Sequence, residues 1–293
     1  MKTTPRVFIT VFLILISFVV LFPIIMVFIN SFKGSLFISN APFSMPVFEG
    51  NAASYVGLDN YFTGVKKINF FSAFGYSLWI TVASVAGILI VSSMLAWYIT
   101  RVKNKLNSII YYCLVFSMIV PFQMVMFTVS KMANILHLDN PIGIIVIYIG
   151  FGCGMSTFMF AGFIKSIPLA MEEAAMIDGA SEGQVNRFIV IPYIKPILKI
   201  STIFAVTGSF KSFDLIYVLT NGGPNHATEV PSTLMISMLF KRNRYGMGST
   251  IALLLIILCF AAALIISAIF KERGDDYGTK RKKHSRVSEK KEN

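Results

Sequence analysis

Six long apolar runs, separated by short polar segments, limit the fold of this chain more than any other feature. The first run, residues 7–29, contains 23 residues without a charge. As a helix it would extend roughly 34 Å, which is enough to cross the hydrocarbon core of a bilayer. The sequence therefore predicts an all-α, polytopic membrane protein whose six transmembrane helices cover about residues 7–29, 74–100, 108–130, 141–164, 197–220 and 249–270.

The composition agrees with this class. Hydrophobic residues make up 55% of the chain and charged residues only 14%, whereas soluble domains carry about a quarter charged residues. The first run is too long for the apolar part of a signal peptide and no small-residue cleavage site follows it. We therefore predict that it is retained as a membrane span, with a kink at Pro23.

The basic residues predict the orientation. If the N-terminus is cytoplasmic, eighteen of the 26 lysines and arginines fall in cytoplasmic segments or, for Lys199, in the first turn of the adjoining fifth span, as the positive-inside rule expects. Residues 1–6 and the basic tail, residues 271–293, would then both be cytoplasmic. We expect the tail to be disordered, and to hold the orientation or touch anionic membrane lipid. Nucleic-acid binding is disfavoured, because the net charge of +12 is divided among short segments between the apolar runs and the tail.

Cysteines and histidines offer no metal or catalytic site. The three cysteines lie inside apolar runs and match no zinc or redox spacing, and the three histidines lie outside these runs. An intramembrane protease or acyltransferase would need paired catalytic groups or a G-x-S-x-G elbow within the spans. We therefore predict no catalytic residue and no metal.

Residues 166–195, between the fourth and fifth runs, are predicted to form two short cytoplasmic helices. Ser166 is a candidate N-cap for the first helix, with Pro168 in its opening turn. Gly179 is a candidate for the left-handed residue that ends this helix. The loop could simply close the bundle at the membrane interface, or it could fit a groove on a soluble partner.

The second helix of this loop has a stronger start signal. Ser181 is followed three residues later by Gln184, which completes a capping box. We predict that Pro192 ends this helix near the membrane and that Pro196 opens the fifth span.

The pattern inside the loop decides between its two uses. Glu173-Ala174-Ala175 is followed by three residues, Gly179, nine residues and then Ile189-Val190-Ile191-Pro192. This pattern resembles the EAA loop of ABC-importer permeases, with Ile191 in the place of a leucine. Asp178-Gly179-Ala180 further resembles the "DGA" form of the carbohydrate-uptake branch.

A second resemblance follows the fifth run. "FDLIYVLTNGGPNHATEV", residues 213–230, and "GLDNY", residues 57–61, resemble segments of the larger maltose-permease and glycerol-phosphate-permease type. The resemblance extends from the first run to the sixth. It identifies the chain as a permease subunit of a carbohydrate-uptake ABC importer, in the binding-protein-dependent transport inner-membrane component family.

This resemblance implies a division of labour between subunits. The loop would dock into a cleft of a separate cytoplasmic ATPase, with Glu173 facing a basic residue and Gly179 shaping the turn. Arg187 would contact the ATPase or a lipid phosphate. The chain lacks a G-x-x-x-x-G-K-[ST] sequence, so ATP and magnesium would be bound by the partner and no cofactor by this subunit. The implied coupling residues are Glu173, Ala174, Ala175, Asp178, Gly179, Ile189 and Pro192.

The resemblance also implies an assembly and a location. A second homologous permease, two ATPase subunits and an extracellular or periplasmic substrate-binding protein would complete the importer in the bacterial cytoplasmic membrane. The transported carbohydrate would be a sugar or oligosaccharide. Glycerol phosphate, a polyol or an acidic oligosaccharide are the alternatives within this class. A secondary transporter is the alternative outside it, although it would usually show internal repeats and coupling carboxylates.

A substrate path is implied by alignment to a sugar-transporting relative. Aromatic faces and a few polar groups suit sugars, although core packing is the competing role for each apolar position. The fifth span carries serines and Lys211 where the relative has asparagines, which implies a different carbohydrate. The predicted path residues are Met118, Phe122, Tyr148, Phe151, Gly152, Ser209, Lys211, Ser212 and Asp214.

Lys211 and Asp214 are the one pair of opposite charges well inside the predicted fifth span. Charges at such a position are costly and usually face a cavity or each other. At i, i+3 on one helix the two side chains could pair, and we predict that they do. The alternative is that Lys211 lines the path and favours an anionic or strongly hydrogen-bonding glycan.

Overall fold

The computed structural model describes residues 4–50, 54–67, 69–223 and 228–270. These residues form α-helices joined by turns and short loops, with three π-helical turns at Asn60–Gly64, Asn186–Val190 and Ser237–Lys241. The predicted basic tail and residues 224–227 lie outside the described ranges. The α-helices are α1 (Thr4–Asn30), α2 (Ser35–Asn40), α3 (Val65–Lys67), α4 (Phe70–Arg101), α5 (Lys105–Ile119), α6 (Phe122–Ile135), α7 (Pro141–Ile164), α8 (Leu169–Ile177), α9 (Glu182–Val185), α10 (Ile191–Lys211), α11 (Asp214–Thr220), α12 (Pro231–Ile236) and α13 (Tyr245–Ile269).

Five continuous helices of the described chain are long and apolar enough to cross a membrane. They cover Val7–Asn30, Phe70–Arg101, Pro141–Ile164, Glu182–Lys211 and Tyr245–Ile269. Helices α5 and α6 make a sixth span if they are counted as one, but they are bent by 107°. Val120 at the bend has extended backbone, the conformation that a following proline imposes.

The predicted third and fifth spans are therefore not continuous helices. The third, residues 108–130, is divided at Val120-Pro121 into α5 and α6. The fifth, residues 197–220, is divided after Lys211, where α10 ends, and resumes at Asp214 as α11. We call residues 212–213 between them the α10–α11 break.

The chain divides into two compact units. Of the described residues, those within 1–84, 121–147 and 208–259 form the first unit, and those within 85–120, 148–207 and 260–270 form the second. The first unit has an apolar core to which α3, the start of α4, α12, the π-helical turn Ser237–Lys241 and α13 contribute. Its buried members are Val65, Phe70, Ala73, Leu234, Met238, Met247, Ile251 and Leu255.

A polar seam in the first unit joins the end of α1 to the start of α13. The Asn60 amide donates to the carbonyl oxygens of Ser31 at 2.8 Å and Lys33 at 3.2 Å. A Cβ on Gly246 would lie 2.4 Å from the same Lys33 oxygen and 2.8 Å from the Asn60 amide nitrogen. Only glycine fits this approach of two backbones.

Lys33 itself is buried within this seam. Its ammonium donates to the side-chain oxygen of Asn30 and to the carbonyl of Ala41, each at 3.1 Å. Burial lowers the pKa of the Lys33 ammonium, because desolvation disfavours the charged form. The hydrogen bonds offset part of that cost.

The second unit has a separate apolar core, to which α4, α7, the π-helical turn Asn186–Val190 and α10 contribute. This core also takes in residues from both ends of the predicted loop. Its buried members are Ala96, Phe160, Ala161, Ile164, Ile167, Val185, Val190, Ile194 and Ile197.

Candidate coupling loop and transport path

The first helix of the loop, α8, ends as the sequence predicts. Gly179 has a φ of +92°, the left-handed conformation that glycine adopts without a Cβ penalty. The amide of Gly179 donates to Met176 O at 3.0 Å, and that of Ala180 donates to Ala175 O at 2.9 Å. These two bonds form a Schellman motif, which satisfies the last carbonyls of the helix.

The start of α8 differs from the prediction. Its N-cap is Pro168, which makes no side-chain capping bond. The Ser166 hydroxyl instead donates to Phe163 O at 2.6 Å, at the end of α7. Ser166 is therefore not the cap, because its hydroxyl turns back to the preceding helix. Glu172 in the first turn suits the positive end of the helix dipole.

The second helix begins with the predicted capping box. The Ser181 amide donates to Gln184 Oε1 at 2.8 Å, and the Gln184 amide donates to Ser181 Oγ at 3.4 Å. The prediction that Pro192 ends this helix is wrong, because the chain stays helical from Glu182 to Lys211. In the π-helical turn the Ile191 amide bonds to Asn186 O, five residues back. This wider turn accommodates the missing N–H of Pro192.

Pro196 also differs from its predicted role. It lies inside α10, so it does not open the fifth span. The helix continues through it, as helices do where neighbouring groups replace the lost hydrogen bond.

The loop presents an exposed surface that is partly apolar. Ile177 keeps 85% of its surface exposed, and Leu169, Met171 and Met176 are also exposed. Of the seven predicted coupling residues, Glu173, Ala174, Asp178, Gly179 and Pro192 are exposed, whereas Ala175 and Ile189 are half-buried. Ala175, Asp178, Gly179 and Ile189 line one cavity of about 370 Å³ together with Ala180, Gln184, Val185 and Phe188. An acid beside exposed apolar side chains is a surface of the kind that binds another protein.

A buried ion pair holds this loop, and sequence reasoning missed it. The Arg101 guanidinium, at the end of α4, bonds the carboxylate of Glu172. The two side chains are 13% and 7% exposed. Arg101 also donates to Ile167 O at 3.5 Å, before α8. The sequence signal that could have revealed it is the adjacent pair Glu172-Glu173. Two neighbouring residues of a helix point in different directions, so one of the two acids, here Glu172, is expected to face inward and to need a cationic partner.

Apolar contacts reinforce this ion pair. Ile167 before α8, Val185 at the end of α9 and Val190 in the π-helical turn are buried in the same core as Ala96 and Phe160 of the long helices. The loop is therefore packed onto α4 and α7 at both of its ends.

The predicted path residues of the first unit lie around the α10–α11 break. Ser209 and Thr81 form a buried hydroxyl pair at 2.6 Å. The carbonyl of Ser212 accepts from the Ser232 hydroxyl at 2.7 Å. Phe122 is half-buried at the start of α6, and α6 packs against α11.

The prediction that Lys211 pairs with Asp214 is wrong. Both residues belong to the described part of the chain, and no ion pair joins them there. Because α10 ends at Lys211 and α11 begins at Asp214, the two residues do not share a helical face. Asp214 instead accepts a 2.7 Å hydrogen bond from the Gln123 amide of α6. Lys211 is exposed.

The other four predicted path residues belong to the second unit. Met118, near the C-terminal end of α5, is exposed. In the middle of α7, Phe151 is exposed and Tyr148 is half-buried. Gly152 has a packing role, since a Cβ there would lie 2.4 Å from Ile88 Cδ1 of α4. Their roles in transport remain predictions.

Comparisons with known proteins identify the family. Residues 88–273 match the sequence model described as "Binding-protein-dependent transport system inner membrane component". The chain belongs to this family. The predicted identity as an ABC importer permease is thus confirmed.

Relatives within the family have names that refer to carbohydrates. The chain is 30% identical over 251 residues to the probable starch degradation products transport system permease protein AmyC of Thermoanaerobacterium thermosulfurigenes, covering 85% of this chain and 89% of the relative. It is 28% identical over 225 residues to the multiple sugar-binding transport system permease protein MsmF of Streptococcus mutans, covering 70% of this chain and 77% of the relative.

A solved structure has the same fold. The chain resembles, with a TM-score of 0.69 and 18% identity, a bacterial ABC transporter involved in the import of the acidic polysaccharide alginate. The match covers 92% of this chain and 96% of that chain. The all-helical membrane fold of this family is thereby established for the chain.

Proposed function

We propose that this permease translocates a sugar or oligosaccharide across the bacterial cytoplasmic membrane, driven by ATP hydrolysis in a separate ATPase subunit. The observation that carries the proposal is the coupling loop. Its EAA pattern occurs in a permease-family chain. Its exposed face combines apolar side chains with the acid Glu173, and its other face packs against the long helices. The substrate class is supported by the names of the relatives AmyC and MsmF.

The loop would transmit force as a rigid element. The ATPase would contact Glu173 and the exposed apolar side chains around Ile177. Glu172 and its ion pair with Arg101 would pass the displacement to α4, and the buried residues of the loop would pass it to α7 and α10. Closely packed interiors move as bodies and deform little, so closure of the ATPases would shift the spans between inward and outward openings.

The proposed assembly follows from this division of labour. A second homologous permease, two ATPases and an extracellular or periplasmic binding protein would join this subunit. Both termini would be cytoplasmic, as the distribution of basic residues favours. ATP and magnesium would be bound by the ATPases, and this subunit would need no cofactor.

The experiment is a pull-down of the tagged permease in mild detergent, with the ATPase activity of the eluate as the readout. Wild type is compared with Glu173→Ala, which removes the exposed acid, and Gly179→Asp, which disturbs the left-handed turn. Gly183→Ala is the matched control, because a Cβ at Gly183 meets nothing within 4 Å and its φ is not positive. The expected result is recovery of an ATPase with wild type and Gly183→Ala, and a weakened association with the other two.

Two outcomes would contradict the proposal. One is glycan uptake into proteoliposomes by a preparation that contains no ATPase, which would favour an ion-coupled transporter. The other is an ATPase that co-purifies equally with the wild type and all three variants, which would show that the loop is not its docking site.

A further inference from the structure

The chain after α2 returns along α1 toward the membrane. We call residues 41–48 the return loop. Phe43 of this loop stacks on Phe22 of α1, with 6.2 Å between ring centroids and 19° between ring planes. Phe22 precedes Asn30, the last residue of α1, by eight residues, or roughly 12 Å of helix.

This stacking sets the depth of the loop. The first membrane span, Val7–Asn30, extends roughly 36 Å as a helix, against about 30 Å for the hydrocarbon core of a bilayer. The end of the span therefore lies close to the surface of that core, and Phe22 lies well within it. A ring that stacks on Phe22 is at the depth of lipid acyl chains.

The surface of the return loop is uncharged and apolar. No Asp, Glu, Lys or Arg occurs between Lys33 and Glu49. Three large apolar side chains of the loop keep most of their surface exposed, namely Phe43 at 74%, Met45 at 68% and Phe48 at 68%. A contiguous apolar surface of this kind indicates a contact with a membrane or with another protein.

The backbone of the loop also suits a surrounding that contains little water. The amides of Ala41, Ser44 and Val47 each donate a hydrogen bond within the chain. Pro42 and Pro46 have no N–H. Few donors of this irregular segment therefore depend on water, which matters because unsatisfied backbone groups are costly at membrane depth.

Both ends of the return loop are attached near the end of α1. The buried Lys33 ammonium donates to Ala41 O at 3.1 Å, so this charge points away from the exposed surface. At the other end, Phe48 lies against Tyr55, with ring centroids 4.5 Å apart, and Tyr55 stacks on Phe32 at 6.4 Å. Tyrosines are typical of the boundary between lipid and water.

We propose that the return loop inserts its apolar side chains into the outer leaflet of the membrane, in contact with lipid acyl chains just below the headgroups. In the predicted orientation this is the leaflet at the C-terminal end of α1. Interfacial protein segments bury their apolar face about 5–10 Å into the boundary between headgroups and acyl chains. The loop would hold the outer end of α1 at a fixed depth while other spans move during transport.

Lipid fits this surface better than either protein partner. A soluble binding protein outside the membrane does not reach a ring at acyl-chain depth. Helix interfaces within membranes are enriched in small residues that let backbones approach closely, whereas residues 7–29 of α1 contain neither glycine nor alanine. The exposed side chains of the return loop are bulky as well, so this region lacks the features of a close contact with the second permease.

The test uses spin labels on single cysteines in the assembled transporter complex, in nanodiscs of phosphatidylethanolamine and phosphatidylglycerol. The three native cysteines are first replaced by alanine. Phe43→Cys and Met45→Cys carry the label in the loop, and Glu49→Cys, at an exposed acid just beyond it, is the matched control. Electron paramagnetic resonance then measures how often each label collides with oxygen, which concentrates in lipid, and with a water-soluble nickel chelate.

The expected result is more frequent collision with oxygen than with nickel at Phe43→Cys and Met45→Cys, at a depth of about 5–10 Å. The order should reverse at Glu49→Cys. Adding Phe43→Ser to the Met45 label removes the ring that stacks on Phe22 and should shift collisions from oxygen toward nickel. Ser39→Ala, at an exposed polar residue before the loop, should leave the collisions of the same label unchanged.

Three outcomes would overturn the proposal. Nickel collisions that exceed oxygen collisions at the Met45 label would place the loop in water. Low collision rates with both reagents would show that protein covers it, as expected if the second permease docks there. A fall in both rates only after the binding protein is added would assign the surface to that protein.

Discussion

The coupling loop and the α10–α11 break both interrupt the long helices, but different interactions hold them. The loop is fixed by the buried ion pair of Arg101 with Glu172 and by apolar side chains buried at both of its ends. The break is fixed by single hydrogen bonds, including those from Ser232 to Ser212 O, from Ser130 to Val218 O and from the Gln123 amide to Asp214. Stiff anchors suit the force transmission that we propose for the loop, whereas weaker contacts that can exchange suit the cargo contact predicted at the break.

The largest expected effect is the loss of the ion pair. Glu172→Ala leaves the buried Arg101 guanidinium without its counter-charge and should lower the free energy of unfolding by about 3–5 kcal/mol. Denaturant titration of the purified subunit in detergent measures this change. Replacing Arg101 and Glu172 together by methionine should recover most of the loss.

Exposed Glu173 is the matched control for this experiment. Glu173→Ala should leave the free energy of unfolding unchanged while weakening ATPase association. A stability loss as large as that of Glu172→Ala would show that the two acids do not have the separate roles assigned to them.

The second prediction concerns the turn after α8. Gly179→Ala forces a side chain into the left-handed region and should cost about 1–2 kcal/mol of unfolding free energy. Gly183→Ala, inside α9, should instead stabilise by about 0.5–1 kcal/mol, since alanine loses less backbone entropy than glycine. Thermal unfolding of the two variants side by side should therefore give shifts of opposite sign.

The third prediction tests the break. Gln123→Leu removes the amide that donates to Asp214 and should cost about 1.5 kcal/mol, as for a partly buried carboxylate left without its donor. The midpoint of thermal unfolding reports the loss. Asp214→Asn, which keeps an acceptor for the same amide, should lose less, and a larger loss than in Gln123→Leu would contradict this assignment.

The smallest effect is expected at Ser232. Ser232→Ala removes a single neutral hydrogen bond to Ser212 O and should cost about 1 kcal/mol. Ser17→Ala, where an exposed hydroxyl bonds within its own helix, is the control and should be neutral in the same assay. If Ser232→Ala cost as much as Glu172→Ala, the two regions would be held equally firmly and the comparison would fail.

The two regions also differ in what their sequences revealed. The capping box of Ser181 with Gln184 and the left-handed Gly179 depend on neighbouring residues, so both could be predicted. The end of α10 at Lys211 depends on groups that are distant in sequence, such as Gln123 and Ser232. The spacing of apolar residues within the span does not reveal such contacts, so the end of the helix could not be predicted from it. The role of Glu172 was hidden for the same reason, because its partner Arg101 is 71 residues away.

Proline positions were misread for a related reason. Pro192 and Pro196 look like helix boundaries, yet the helix continues through both. The π-helical turn before Pro192 shifts the backbone hydrogen bonding by one residue. No short sequence motif predicts such a turn. The bend at Pro121 has no such turn before it, and there the chain changes direction.

The seam at Gly246 has a mechanical consequence. The start of α13 touches the Lys33 carbonyl, and Asn60 is bonded to that same carbonyl and to Ser31 O. With no side chain between the two backbones, α13 cannot slide along its axis without carrying the end of α1 and the "GLDNY" segment. These three segments, distant in sequence, should therefore move together. We interpret the "GLDNY" segment as a structural connection between α1 and α13 and not as a contact for cargo.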